Sequence, residues 1–468
     1  MKWASRFLSV GVCAAAACWS SSMPAGFVIP KLLIVSACVM LAAAALALDP
    51  VERCRRLDLP MLACLAALAI SCWFSVDWRL SLEGRYGHWE LGAWACLLYA
   101  ALLSLSAAAP VPRGIVGALG AILGLQAYLQ TQGLDPFVRP DALPAGLRAI
   151  GTIGNPPSLG ALLAMLAMVA GPLQIPFIMA GLVASGSRGA VLAAAMGLVA
   201  RIFPRKAHWV MLAAFVVWLA APVKAPKDIA RAEVWGMALN VWGENFLAGS
   251  GPDTFEIGFR ANRTPDYAKA VGSEATKQEH AHNDLLQIAA TMGLLGLASY
   301  AFLLGHLEAT PAMIALFVAA KFNMPSFIVI AIGCVIFGSQ LHVPVRASDT
   351  RWPWIAIALI GYVSMALSVL IMRADLLAGE GRYSAALNLR PCTVSYAAES
   401  FKKRDGWMLL DAEGAARCHP LSAQAHIVYG SALLSNGWKK HGLIELEIAQ
   451  RLDPKFGPLA DILRKLRR

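Results

Sequence analysis

His280 and His282 lie in "EHAHND" (Glu279 to Asp284), directly before an apolar run that reaches Tyr300. An unperturbed imidazole titrates at about pH 6.5, so a histidine at such a place can be neutral at physiological pH. At about 100° per residue, His282 shares a helix face with Leu286, Ala289, Gly293, Gly296 and Tyr300. The spacing therefore predicts a helix that a second helix approaches closely through small residues, with His282 held at its end. The two histidines alone make a poor metal pair, because no third ligand follows as it would in a HExxH helix, and no metal is expected. Arg188 in "SGSRGA" follows Ser187, a good N-cap residue. Its guanidinium and the free N–H groups of a helix start suit a phosphate or diphosphate, the alternative being an arginine that merely snorkels to the interface. In "GNPP", Asn155 is placed to cap a helix whose first turn accepts Pro156 and Pro157. Arg231 heads a stretch whose Trp235, Met237, Leu239, Val241 and Trp242 read as an amphipathic helix, where it meets either a phosphate or an acid such as Glu233. Helix starts near Pro156, Ser187 and His282 would turn their positive ends to one side, an anion cradle if they meet in space.

These residues need a scaffold, and composition says which kind. Of 468 residues, 58% are hydrophobic and 15% charged, in apolar blocks of about the length that crosses a bilayer as helix. The chain reads as an all-α, polytopic transmembrane helical bundle of about 12–13 spans. Spans are expected near 4–22, 31–48, 59–75, 90–109, 113–130, 157–171, 173–185, 188–203, 207–222 and 284–305, then two short ones before a last at 352–371. The net charge of +11 sits in short loops, so it sets topology and does not point to nucleic acid. Basic clusters at Glu52 to Arg56, Arg113 and Arg201 to Lys206 mark the inner side, which leaves 76–89, 131–156 and a large loop, 223–283, outside. The membrane domain is taken as 1–372 and a soluble tail as 373–468. In that tail Pro420 and Pro454 stand 34 residues apart, the tetratricopeptide period, which predicts helical repeats that bind a partner or pack on the parent domain. Cys392 and Cys418 would pair if the tail is outside and stay free if it is inside.

Taken together, "GNPP", "SGSRGA", the tryptophan-bearing loop helix with "GSGPDTF", and "HAHND" resemble the O-antigen ligase and O-antigen polymerase superfamily, in that family's order. His282, Asn283, Gly293 and Gly296 meet its histidine–glycine pattern, while Pro157 stands where many relatives have asparagine. The resemblance implies a bacterial inner-membrane glycosyltransferase that moves a glycan from undecaprenyl diphosphate to an acceptor at the periplasmic face, with no cofactor or metal. It implies that His282, Arg188 and Arg231 are catalytic, the histidine acting on the acceptor hydroxyl and the arginines on the diphosphate. Asn283, Asn155, Ser187, His280, Glu274 and Glu279 would line the substrate site. A lipid A core acceptor is expected first, a protein second and a growing glycan third. A transporter or flippase is the rival of another class, although its ionisable residues would sit near mid-membrane.

Overall fold

The computed structural model describes residues 1–51, 54–134, 148–206, 209, 226–271, 278–341, 348–405 and 408–467. The expected span at 207–222 and the residue Glu274 lie outside the described residues, Trp209 excepted. What is described is helical: α1 (Lys2–Ala17), α2 (Ile29–Leu48), α3 (Arg55–Trp73), α4 (Trp78–Glu83), α5 (Ala93–Ala108), α6 (Arg113–Thr131), α7 (Pro156–Ala167), α8 (Ile175–Ala184) and α9 (Arg188–Ile202). There follow α10 (Pro226–Glu244), α11 (Phe255–Asn262), α12 (Pro265–Val271), α13 (Asp284–His306), α14 (Pro311–Ala320), α15 (Phe327–Gln340) and α16 (Trp352–Gly379). The tail adds α17 (Tyr383–Leu389), α18 (Val394–Lys403), α19 (Met408–Cys418), α20 (Ala423–Ser435), α21 (Lys439–Leu452) and α22 (Gly457–Arg467).

Five of these, α2, α3, α6, α13 and α16, are long and apolar enough to cross a membrane. The other expected spans that lie in the described residues correspond to shorter helices. The apolar runs behind α5, α7, α8, α14 and α15 form helices of only 10–16 residues, about 15–24 Å against a hydrocarbon core of about 30 Å. Proline explains much of the shortening, because Pro156, Pro176 and Pro311 each open a helix and end the run before it. Lipid supplies no hydrophobic drive between helices, so close packing must hold them together. Every residue of α7 from Ser158 to Ala167 is buried, and α6 and α8 touch at Gly124 and Gly181, where an added Cβ would meet backbone at 2.4 Å. On α16, by contrast, Leu359, Tyr362, Val363, Leu367 and Leu370 face outward, the apolar surface a bilayer would cover.

The loops sort to two ends as the basic clusters predicted. At one end the terminal ammonium pairs with Asp49 at 2.9 Å, the Ser348 N–H donates to the Pro50 carbonyl, and the Ser5 hydroxyl donates to that of Pro110. Arg113 and Arg201 line one cavity there with Glu308 and Gln340. The opposite end holds the first polar loop, the α10–α12 cap and the tail. The bundle's buried charges, Lys31, Asp284, Lys321 and Asp375, fall at this end too. Asp375 accepts from the Ala25 N–H at 2.9 Å and the Tyr396 hydroxyl at 2.7 Å, so α16 runs to Gly379, beyond the expected boundary at 372.

The tail is a run of helices in which each packs on the next. A disulfide joins Cys392 to Cys418. His419 contacts Asp77 at 2.6 Å, and Asp453 takes ion pairs from Arg260 at 3.1 Å and Arg263 at 3.2 Å, so the tail is clamped to the polar end of the bundle. The disulfide closes a loop of 26 residues, which by loop-closure entropy contributes about 3 kcal/mol. Cys392→Ser is accordingly expected to lower the thermal midpoint of the purified protein by several degrees, and an unchanged midpoint would count against a structural role for the bond.

Gly293 is not the packing glycine that its spacing suggested. Its backbone (φ 65, ψ −162) breaks α13, and segment 246–251, which begins in the turn after α10, is inserted at the break. The Leu294 and Leu295 N–H groups donate to the carbonyls of Phe246 and Leu247, while Ser250 and Gly251 donate to those of Ala290 and Thr291. A broken helix is tolerated in a membrane protein when its freed backbone groups find such partners. A Cβ on Gly293 would lie 2.3 Å from the Leu247 carbonyl oxygen and force a left-handed φ on an L-residue. Gly293→Val should therefore cost more than about 1 kcal/mol of stability. The control is Gly305→Ala, which meets nothing within 4 Å; equal midpoints for the two variants would refute the account of the break.

Candidate functional site

The helix after "EHAHND" starts later than its spacing implied. Asn283 is the N-cap of α13, its side-chain oxygen accepting from the Leu286 N–H at 3.1 Å, so His282 precedes the helix and lies off the face of Gly293 and Gly296. This is a correction with a plain cause, since asparagine competes well for the cap and ends the helix there. The other end of the Asn283 amide donates to the Lys321 carbonyl at 3.3 Å, and the residue is wholly buried. Both polar groups of Asn283 thus act on the backbone. Next to it, Asp284 forms a buried ion pair with Lys321 and accepts from the Tyr300 hydroxyl at 3.2 Å.

His282 sits at φ 52, left-handed for a residue with a Cβ. Such a conformation costs on the order of 1–3 kcal/mol and persists only where the surroundings over-determine it. They do so here: the Ala281 N–H donates to Gln287, Asn283 is locked as a cap, and the imidazole is held at both nitrogens. Nδ1 is 3.0 Å from Asn323 Oδ1 and Nε2 is 2.8 Å from Gln278 Oε1. The Asn323 amide nitrogen donates to the Met324 carbonyl, which fixes its oxygen toward the ring and makes Nδ1 the protonated nitrogen. Gln278 rests against the Tyr267 hydroxyl, a group that both donates and accepts, so this amide can turn and offer its N–H₂ to an unprotonated Nε2. Burial and the positive charge of Arg231 both push the His282 pKa down, against the contact with Asn323 that raises it. Burial and the Arg231 charge thereby favour the neutral imidazole.

Asn155 caps α7 through the Ser158 N–H at 3.2 Å, and Ser187 caps α9 through the Ala190 N–H at 3.4 Å. These two helix starts adjoin, because a Cβ on Gly160 would meet Ala190 at 2.7 Å and Ser187 at 3.0 Å. The start of α9 in turn adjoins His282. A Cβ on Gly189 would lie 2.9 Å from Phe322 Cβ, and the residue after Phe322 is the Asn323 that holds the imidazole. The three helix starts read from the sequence are therefore linked around one point. Arg188, on the first turn of α9, is exposed and makes no ion pair among the described residues. Arg231 likewise has no acidic partner there; Glu233 accepts instead from the Thr264 hydroxyl at 2.6 Å. Two guanidinium groups without an acidic partner among the described residues, one of them acting on His282, suit an anionic ligand. The amphipathic reading of α10 needs one change, since Val234, Met237, Ala238 and Val241 are buried and Leu239 is exposed.

Residues 175–301 match the O-antigen ligase family model.

An O-antigen ligase domain is thus present over part of the chain, in a polytopic helical membrane protein. No curated protein matches the chain. The ligase match opens at the first residue of α8 and carries Ser187, Arg188, Arg231, His280, His282, Asn283, Gly293 and Gly296. It stops short of Asn155 on one side and of Lys321 and Asn323 on the other. Sequence reading missed the latter pair, although "KFNMP" was a visible polar interruption between two apolar runs. It also missed the partners of His280 and Glu279. Glu279 meets His88 at 2.5 Å and Arg85 at 3.6 Å, both from the first polar loop, while His280 lies edge-on to the His88 ring with centroids 5.6 Å apart. Burial holds the His280 pKa down at about 4. Burial also disfavours the His88 imidazolium, but contacts with Glu279 and Glu90 outweigh it and raise that pKa to about 10.

Proposed function

We propose that this protein transfers a glycan from an undecaprenyl diphosphate carrier to an acceptor hydroxyl at the periplasmic face of a bacterial inner membrane. The observation that carries the reading is one cluster, largely inside the ligase match, in which a half-buried histidine held at both nitrogens stands with Arg188 and Arg231, neither of which has an acidic partner among the described residues. His282 Nε2 takes the proton of the acceptor hydroxyl as its oxygen forms a bond to the anomeric carbon. The bond from that carbon to the diphosphate oxygen breaks, and its electron pair leaves with the carrier. Arg188, Arg231 and the N–H groups at the starts of α7 and α9 stabilise the negative charge gathering there. Protein groups supply all of this, and none of it calls on a cofactor. Asn155, Ser187 and Asn283 position helix starts, and Glu279 acts through the first polar loop.

The disulfide supports the periplasmic side, since such bonds persist in oxidising compartments. The break in α13 is a feature that transporters share, but here it is filled by segment 246–251, and the buried charges cluster at one end, which favours chemistry at a surface. Within the family reading we place a lipid A core acceptor first. Protein O-glycosylation is second and has one observation of its own: a tail of helices is clamped to the polar end of the bundle through Asp453 and His419. Deletion in the native host separates these outcomes. Loss of polymer from lipid A with carrier-linked chains retained indicates the ligase; unmodified proteins indicate protein glycosylation; single-unit glycans indicate a polymerase. Normal glycans on all three would refute the proposal.

A further inference from the structure

The buried cluster around His280 holds more ligand chemistry than glycan transfer uses. His88 and Glu90 from the first polar loop meet His280 from the segment that leads to His282, each offering one donor atom, with all three donors within 4.8 Å of one another. Glu90 is 6% exposed, and its Oε2 has no hydrogen-bond partner. Neither ring nitrogen of His280 has one, although both are buried. A buried polar atom left unpaired costs about 1–3 kcal/mol, and Glu90 and one His280 nitrogen, which converge with a donor of His88, ask for a common partner.

We propose that His88, Glu90 and His280 bind one divalent transition ion of the zinc class. Two imidazoles and one carboxylate suit a borderline ion of that kind, whereas magnesium and calcium prefer oxygen ligands alone. Glu279 supplies the outer support. Its carboxylate lies 2.5 Å from His88 Nε2, where it accepts the N–H and leaves Nδ1, on the side of Glu90 at 3.5 Å, free to ligate. The competing arrangement is a protonated His88 bridging Glu279 and Glu90. It leaves His280 and Glu90 Oε2 without partners, whereas an ion takes up one His280 nitrogen and a Glu90 oxygen.

The position of the ion gives it a task. It ties the first polar loop to residues 280–283 between two left-handed backbones, Trp89 at φ 52 and His282 at φ 52. It therefore acts as a clamp that sets where His282 stands, with no part in the bond changes. This inference concerns binding and stands whether or not the proposed reaction is correct.

The test uses the full-length protein purified in detergent, stripped with a chelator and titrated with Zn²⁺, then with Co²⁺ as a spectroscopic reporter. The expected result is one ion per chain, a visible cobalt band, and affinity at least about tenfold weaker in Glu279→Gln, the usual cost of removing such an outer support. His280→Gln and Glu90→Gln should lose the stoichiometric ion while eluting as wild type on size exclusion. Should either fail to fold, Glu279→Gln and the wild-type stoichiometry still decide. Absence of a stoichiometric ion in the wild type, or variants that bind it as the wild type does, would overturn the proposal.

Discussion

His282→Ala is expected to abolish measurable glycan transfer, a loss of about 10²–10⁴-fold from the missing base alone, while the protein still inserts and folds. The imidazole is not a packing residue whose removal would empty the core; it is partly exposed, and it contacts two amides, Asn323 and Gln278, that can turn to each other or to water. The thermal midpoint should therefore change little. The backbone strain at φ 52 is also smaller for alanine than for a larger side chain only by a small margin, so it does not confuse the result. Asn323→Ala gives a second view of the same atom. Losing the acceptor on Nδ1 frees the tautomer and should slow transfer without raising KM. Wild-type rates for His282→Ala would remove the histidine from the mechanism.

The second large effect is at Arg231. Arg231→Gln keeps a polar side chain but removes the charge, and with it one of the two cations proposed to face the diphosphate, a loss of about 10²–10³-fold by analogy with deleting one donor to a developing oxyanion. It carries a signature that simple loss of binding lacks. The Arg231 charge disfavours the His282 imidazolium, so removing it must raise the His282 pKa. The base must be neutral to act. The acid limb of the rate profile, expected below the ordinary imidazole value of about 6.5 in the wild type, should therefore move to higher pH in the variant. An unshifted limb would mean that Arg231 does not act on this histidine.

Much of the bundle was legible because apolar runs and proline write helix boundaries locally. Asn155 and Ser187 cap where they were expected to, since capping depends on neighbours three residues away. The two short spans expected before the last one correspond to α14 and α15. Gly293 was misread for a reason that lies elsewhere in the chain: only segment 246–251, more than forty residues earlier, shows why a break is needed there. His280 was placed in the substrate site by resemblance alone, because its neighbours His88 and Glu90 are distant in sequence and no local pattern joins them. The helical tail was foreseen from composition, whereas its docking through Asp453 and His419 is a tertiary fact that spacing does not encode.

The central claim is that a glycan leaves a lipid diphosphate and joins an acceptor under the control of His282. The most direct measurement reconstitutes the purified protein in liposomes with carrier-linked glycan and acceptor, and follows released carrier diphosphate and glycosylated acceptor together. The account predicts equal amounts of both with the wild type and neither with His282→Ala. Intact carrier-linked glycan moved across the bilayer, or carrier released with no glycan on any acceptor, would contradict it.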